Sequence, residues 1–346
     1  MNKKYILMGL AVWAFVSCSH DEIKDVYREN TIDFRVAIDT RAEETTNENI
    51  ESFSVTALDE DGKSYFSNIE FSDDAETVER IFTSEESYYW PISGNLYFYA
   101  YSPSDLSGSL VIDGTAKTLT GFTPSAAIGD QVDFITAKAV GNKAQNAEGV
   151  ALEFNHQLSQ IAIVAKNGNQ GYVYNVKGVR IGQVASSGTF DFDGESWSDL
   201  GAKTDYETIY DTPILLDSDA EDIMGPEGNA MLIPQEFTGW DVENDKPNTG
   251  AGTYIAVYVN IETSQGVPVF PDTDGDYAWV AVSIETTWDP GYKYTYILDF
   301  TTGAGFIDPE DPDNPGEIVL GEPIKFSMES YVISWSNSGG FIDLPM

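Results

Sequence analysis

Cysteine and histidine are nearly absent from this chain, with one Cys and two His among 346 residues. A single thiol excludes an internal disulfide framework and any zinc cluster built on paired cysteines. Basic residues are scarce as well: 18 Lys and Arg stand against 57 Asp and Glu, a formal charge of −39. That charge repels phosphate backbones, so nucleic acid is not a partner, and it rules out a polybasic grip on anionic lipid. No apolar run reaches the roughly 20 residues a membrane-spanning helix needs. Nor does any stretch sustain the i, i+3, i+4, i+7 spacing of an amphipathic helix.

Aromatic residues are plentiful: 18 Phe, 19 Tyr and 7 Trp in a chain that is 42% hydrophobic can build a core, which excludes a disordered acidic tail. Period-two alternation of apolar and polar residues recurs from Thr31 nearly to the C-terminus, the pattern of an all-β protein. The clearest strand is Thr31 to Ile38, with Ile32, Phe34, Val36 and Ile38 on one face and Asp33 and Arg35 on the other. A polar, unpatterned stretch around Thr40-Arg41-Ala42 follows it. At about 150 residues per domain the length fits two units, and many short strands punctuated by Gly and Asp turns fit β-sandwiches. Gly141 to Gly149 reads as the linker between them, giving domains at 31–145 and 146–346. Asp308 to Gly316, rich in Pro and Asp, reads as a stiff, solvated connector.

The N-terminus carries an export pattern. Lys3 and Lys4 precede an apolar run from Tyr5 to Val16, too short to span a bilayer and flanked as a signal peptide is. Phe15-Val16-Ser17-Cys18-Ser19 then resembles a bacterial lipobox. The expectation is a signal over residues 1–17, a lipid on Cys18 that anchors the chain in the outer membrane, and a polar tether over 18–30. Two or more acyl chains, at about 0.8 kcal/mol per CH₂, anchor stably where one does not.

Candidates for chemistry are few. His156 sits at a strand end, but no Gly-x-Ser-x-Gly elbow or other nucleophile signature accompanies it, so a structural histidine is expected. Asp272-Thr273-Asp274-Gly275-Asp276 and Asp191-Phe192-Asp193-Gly194-Glu195 place carboxylates around a Gly turn, as calcium loops do and as plain hairpin turns also do. Trp197, Trp240 and Trp288 fall near loops, where they fit either sugar-stacking platforms or core anchors. The expectation is a chain without enzymatic activity, cofactor or metal.

Several motifs in order carry a family resemblance. They are Tyr89-Trp90-Pro91 with Leu96-Tyr97-Phe98-Tyr99-Ala100-Tyr101-Ser102-Pro103, Asp133-Phe134-Ile135-Thr136-Ala137, and Leu152-Glu153-Phe154-Asn155-His156-Gln157-Leu158-Ser159. Met231-Leu232-Ile233-Pro234-Gln235, Trp288-Asp289-Pro290-Gly291-Tyr292 and Pro323-Ile324-Lys325-Phe326 before Trp335 continue the series. Behind a lipobox, these resemble the fimbrillin-like lipoproteins of Bacteroidota. The resemblance implies two transthyretin-like β-sandwich domains and a subunit of a type V fimbria at the outer surface. It also implies that an Arg-specific or trypsin-like protease removes an N-terminal strand and that another subunit's strand fills the groove. Arg41 is then the expected processing site and Ile32, Phe34, Val36 and Ile38 the displaced strand. Tyr331 to Met346, with Val332, Ile333, Phe341, Ile342 and Leu344, is either the donor strand or a hairpin completing its own domain. A surface adhesin or glycan-binding lipoprotein that never polymerises is the alternative function.

The lipobox makes one direct prediction. A Cys18→Ala chain is expected to leave the outer-membrane fraction and partition into the aqueous phase of a detergent extraction; continued membrane partitioning would refute lipidation at Cys18.

Overall fold

A computed structural model describes residues 30–38, 50–73, 81–249, 252–322 and 324–329. Among them the protein is all-β, with two short 3-10 turns and no α-helix. Cys18, Arg41 and the Tyr331–Met346 segment lie outside the described residues.

The first half is a closed barrel. Its strands are β1 (Phe34–Ile38), β2 (Ser52–Leu58), β3 (Ser64–Asp73), β4 (Ile81–Thr83) and β5 (Leu96–Ser102), then, after the hairpin β6 (Ser109–Ile112) and β7 (Lys117–Phe122), β8 (Ile135–Gly141) and β9 (Val150–His156). Around the barrel the order is β1-β4-β3-β2-β5-β8-β9. Every neighbouring pair is antiparallel except one: β1 runs parallel to β9, with Phe34 to Ile38 opposite Val150 to Phe154. Against β4 it makes only a short antiparallel ladder, Phe34 with Phe82 and Arg35 with Ile81.

The alternation read in the sequence explains why β1 closes this barrel. Ile32 and Phe34 point inward and are buried, and Val36 packs half-buried against the same core. Ring edges meet ring faces around Phe34: Phe71 lies at 4.7 Å and 88°, Phe98 at 5.2 Å and 86°, and Phe53 at 6.0 Å and 77°. This is the geometry aromatic quadrupoles favour.

The second half continues with β10 (Ser159–Lys166), β11 (Tyr172–Ala185), β12 (Gly188–Asp191), β13 (Ser196–Ser198) and β14 (Lys203–Leu215). Then come β15 (Glu221–Asp222), β16 (Ala230–Leu232), β17 (Glu236–Phe237), β18 (Tyr254–Thr263) and β19 (Pro268–Phe270). The last are β20 (Ala278–Ser283), β21 (Thr286–Thr287), β22 (Lys293–Asp299), β23 (Phe306–Ile307) and β24 (Lys325–Glu329). The sheet β14-β11-β18-β20-β23 packs on one in which β10 pairs β22 and β22 pairs β24. Val179, Ile181, Val257, Val259, Ile161, Ile163, Tyr296 and Leu298 fill the space between, as alternating inward residues of a sandwich must.

A third core joins the halves. The hairpin β6–β7 and the hairpin β12–β13 form one four-stranded sheet, with Thr120 beside Thr189 and Leu119 beside Phe190. Beneath it Tyr101, Phe122, Phe134, Leu158, Phe190, Phe192 and Ile233 are buried together.

Two expectations need correction. Gly141 to Gly149, read as an interdomain linker, is the turn between β8 and β9, and both strands belong to the barrel. The chain leaves the barrel instead at Gln157-Leu158, where alternation runs almost unbroken from β9 into β10 and marks no break. The Asp308–Gly316 connector is only partly solvated, because Asp308 is 6% exposed.

Phe34→Ala is expected to cost about 3–5 kcal/mol, the range for emptying a packed aromatic site. Val36→Ala should cost a fraction of that, since its site is already half open. Urea unfolding of the two variants against wild type measures both.

Candidate functional site

The place where β1 lies between β4 and β9 is the candidate site. Three backbone hydrogen bonds hold the beginning of the strand. Ile32 N–H donates to the Tyr88 carbonyl at 2.7 Å, Trp90 N–H to the Asn30 carbonyl at 3.1 Å, and Val150 N–H to the Asp33 carbonyl at 2.8 Å. Further along, the parallel ladder with β9 carries the strand to Ile38. Arg35 on the outer face reaches Glu148 at 3.9 Å, an exposed pair worth little.

Removing β1 would therefore uncover two backbone edges, of β4 and β9, and an apolar trough floored by Phe53, Phe71, Phe82, Phe98 and Phe154. Phe53 lies 4.9 Å from Phe82 and 5.2 Å from Phe154, so the floor is one continuous aromatic surface. Phe98 and Phe154 stand in motifs quoted from the sequence, whereas Phe53, Phe71 and Phe82 do not, and no sequence signal marks the partnership of β1 with β9.

Of the expected site residues, Ile32, Phe34 and Val36 come together here, with Ile38 placed by its backbone in the same strand. The sequence puts Arg41 three residues beyond Ile38.

His156 is buried at the end of β9, with Nδ1 2.5 Å from Asp133 Oδ2. Both side chains are almost wholly enclosed, so the pair ties β9 to the loop before β8. The Asp191–Glu195 turn is committed to holding the two halves together. Asp193 accepts from the Tyr99 hydroxyl at 2.9 Å and from Lys117 Nζ at 3.0 Å, and its carbonyl accepts from Lys138 Nζ at 2.8 Å. Burial pushes the Asp193 carboxyl up, but the bonds from Lys117 and Tyr99 outweigh it and hold it below the ordinary carboxylate range. Among the described residues no group of three or more His, Cys, Asp or Glu is arranged to hold a metal. The tryptophans weighed as sugar platforms are core anchors. Trp240 and Trp288 are buried, with their indole N–H groups donating to the Asp245 carbonyl and the Tyr296 hydroxyl. Trp197 packs on Phe122, Phe134 and Phe190.

A second charged cluster fastens the connector. Arg180 on β11 meets Asp308 at 2.7 Å and Glu310 at 3.9 Å through Nη1, and Glu207 at 3.0 Å through Nε, while its guanidinium lies 4.3 Å from the centre of the Trp279 ring. Burial raises Asp308, with Arg180 pulling the other way. Burial also raises Glu310, and the neighbouring Asp205 carboxylate raises it further. One guanidinium thus meets three carboxylates, with Asp205 beside Glu310 as a fourth, and this crowding together with burial holds Asp308 and Glu310 above the ordinary carboxylate range.

The fold defines an all-β protein whose barrel is closed by β1 between β4 and β9. The chain belongs to the fimbrillin-like family, whose model matches residues 40–311. Similar solved structures include a candidate cell adhesion protein from Bacteroides uniformis, 16% identical over 88% of this chain and 98% of that one, TM-score 0.46. Another, from Parabacteroides distasonis, is 11% identical over 86% and 95%, TM-score 0.48. The fimbrial anchor protein Mfa2 from Porphyromonas gingivalis is 11% identical over 88% and 98%, TM-score 0.39. No curated protein sequence matches the chain. Among the described residues no helix is long and apolar enough to cross a membrane.

Raised Asp308 and Glu310 values mean that these two carboxyls bind more protons in the folded state than in the unfolded one, so their contribution to the connector's attachment falls as pH rises above about 4, the ordinary carboxylate value. The Glu310 amide, which donates to Asp308 Oδ1 at 3.0 Å, should accordingly be more protected at pH 5 than at pH 7.5 once intrinsic exchange is corrected. Glu310→Gln is expected to flatten that difference; hydrogen exchange across the pH series is the check.

Proposed function

We propose that the chain is a non-enzymatic subunit of a cell-surface fimbria, assembled by proteolytic trimming and strand exchange. Family membership gives the fimbrial, cell-surface character. The observation that carries the finer reading is β1 itself. It is a single strand, parallel to β9 in an otherwise antiparallel barrel, with Phe34 at the centre of the core. A parallel neighbour needs a crossover and not a hairpin, so β1 is the one barrel strand whose place a separate segment can take without redirecting any other strand.

Arg41 follows β1 in a polar stretch that a trypsin-like or Arg-specific protease would read, and the family match begins at residue 40, after β1 ends. Trimming there severs β1 from the barrel it completes. Ile32 and Phe34 each contribute roughly 1.5–3 kcal/mol by burial, so a groove left empty would destabilise the barrel and favour a replacement strand. Such a strand regains both edge hydrogen bonds and the aromatic floor. A lipid on Cys18 would hold the untrimmed precursor at the outer membrane, and the Tyr331–Met346 segment of another subunit is the proposed donor.

Limited trypsin treatment of the full chain should yield a fragment beginning at Ala42, and the trimmed protein should run as multimers by size analysis. Arg41→Ala should remain uncut there and monomeric. Wild type that is cut at Arg41 and stays monomeric at all concentrations would overturn strand exchange between copies.

A further inference from the structure

A hollow of about 530 Å³ opens at the end of the barrel where β1 begins, between the loop Pro91–Asn95 and the turn Asn142–Ala144. It adjoins the first hydrogen bonds of β1. Trp90, next to Pro91, donates to the Asn30 carbonyl, and Lys143 Nζ, on the opposite wall, donates to Asn30 Oδ1. The walls are set before anything binds. Asn95 donates from its backbone and its side chain to Glu60 Oε1, both at 3.1 Å, and Asn142 Nδ2 donates to Asn95 Oδ1 at 2.9 Å. Gly141 lets the turn close on the barrel, since a Cβ there would come within 2.8 Å of Asn146 Oδ1 and 3.1 Å of the Trp90 ring. At the rim Ile92 stands fully in solvent, 107% exposed, although neighbouring Trp90 is buried.

We propose that this hollow is the docking point at which an incoming strand, the Tyr331–Met346 segment of a second copy of this chain, engages before β1 leaves. The inference rests on the strand-exchange reading and adds to it where exchange starts. Emptying the whole groove first would expose the aromatic floor and two strand edges to water at once. A strand seated beside Asn30 instead takes over the bonds at Asn30, Ile32 and Asp33 one at a time, as β1 peels away from that end. The occupant follows from charge. On a chain of −39, most surface segments repel a second copy, whereas Tyr331–Met346 carries one charged residue, Asp343, beside Phe341, Ile342 and Leu344. Lys143 supplies a cation for Asp343, and Pro91 and Ile92 supply apolar surface for Phe341 and Ile342.

The test uses a fluorescent synthetic peptide of residues 331–346 with the full chain, before and after trypsin trimming, in wild type, Ile92→Asp and Lys143→Glu. Both substitutions are at exposed positions, and circular dichroism melting would verify intact folding. The expected result is a rate of peptide uptake by trimmed protein slowed about tenfold in each variant, with the dissociation rate of the finished complex unchanged. A peptide carrying Asp343→Lys should restore the rate with Lys143→Glu. Uptake at the wild-type rate by both variants would overturn the docking point while leaving strand exchange standing. If trimmed wild type takes up no peptide at any concentration, strand exchange with this segment fails, and the docking point fails with it.

Discussion

Closure of the barrel between β4 and β9 is the constraint on which the first half depends. β4 spans only Ile81–Thr83 and meets β3 through two residue pairs, so it cannot turn the sheet back on β9 unaided. β1 fills the gap and puts Phe34 where rings from β2, β3 and β5 converge. Phe53 also stacks on Phe71, and Phe66 lies against both Phe71 and Phe98, so the loss of one strand is felt by several others. A barrel has no edges, and opening it creates two at once.

Such a weak point is tolerable only if its opening stays local. The second half has its own core between two sheets, in which residues of β10, β11, β18 and β22 pack with no contribution from β1. The shared sheet β13-β12-β7-β6 and the bonds from Tyr99, Lys117 and Lys138 to Asp193 attach that half to β5, β7 and β8, on strands away from the seam. The halves are therefore joined by contacts to which β1 does not contribute.

The inward face of Thr31 to Ile38 was legible in the sequence because strict alternation fixes which residues share a side, and the all-β class followed from the same periodicity. What escaped was pairing. Nothing in Phe34-Arg35-Val36 indicates that its neighbour lies more than a hundred residues away at Val150, since parallel partners carry no turn between them to advertise the contact. The boundary before β9 was misplaced for a different reason: Gly141 to Gly149 looks like a linker because hairpin turns and linkers draw on the same small and polar residues. The tryptophans near loops were ambiguous because proximity to a turn says little about depth, and Trp288 is buried beside Tyr296. The Arg180 cluster was invisible because its members come from β11, β14 and the connector, far apart in the chain.

Four of the 18 cations stand where parts of the chain join. Lys117 and Lys138 bind the turn that joins the halves, Arg180 fastens the connector leading to β24, and Lys143 stands at the end of the barrel where β1 begins. These four cations stand at junctions, and the 57 carboxylates against 18 cations leave the chain as a whole acidic. Two copies approaching at physiological ionic strength then repel each other within about 8 Å, the screening length. Side-by-side adhesion is disfavoured, whereas the proposed insertion of a weakly charged strand into an aromatic groove would gain in apolar burial and backbone bonds. Acidity and the proposed strand exchange are thus complementary: the first suppresses lateral clumping, and the second would supply an attraction that charge repulsion between surfaces does not cancel.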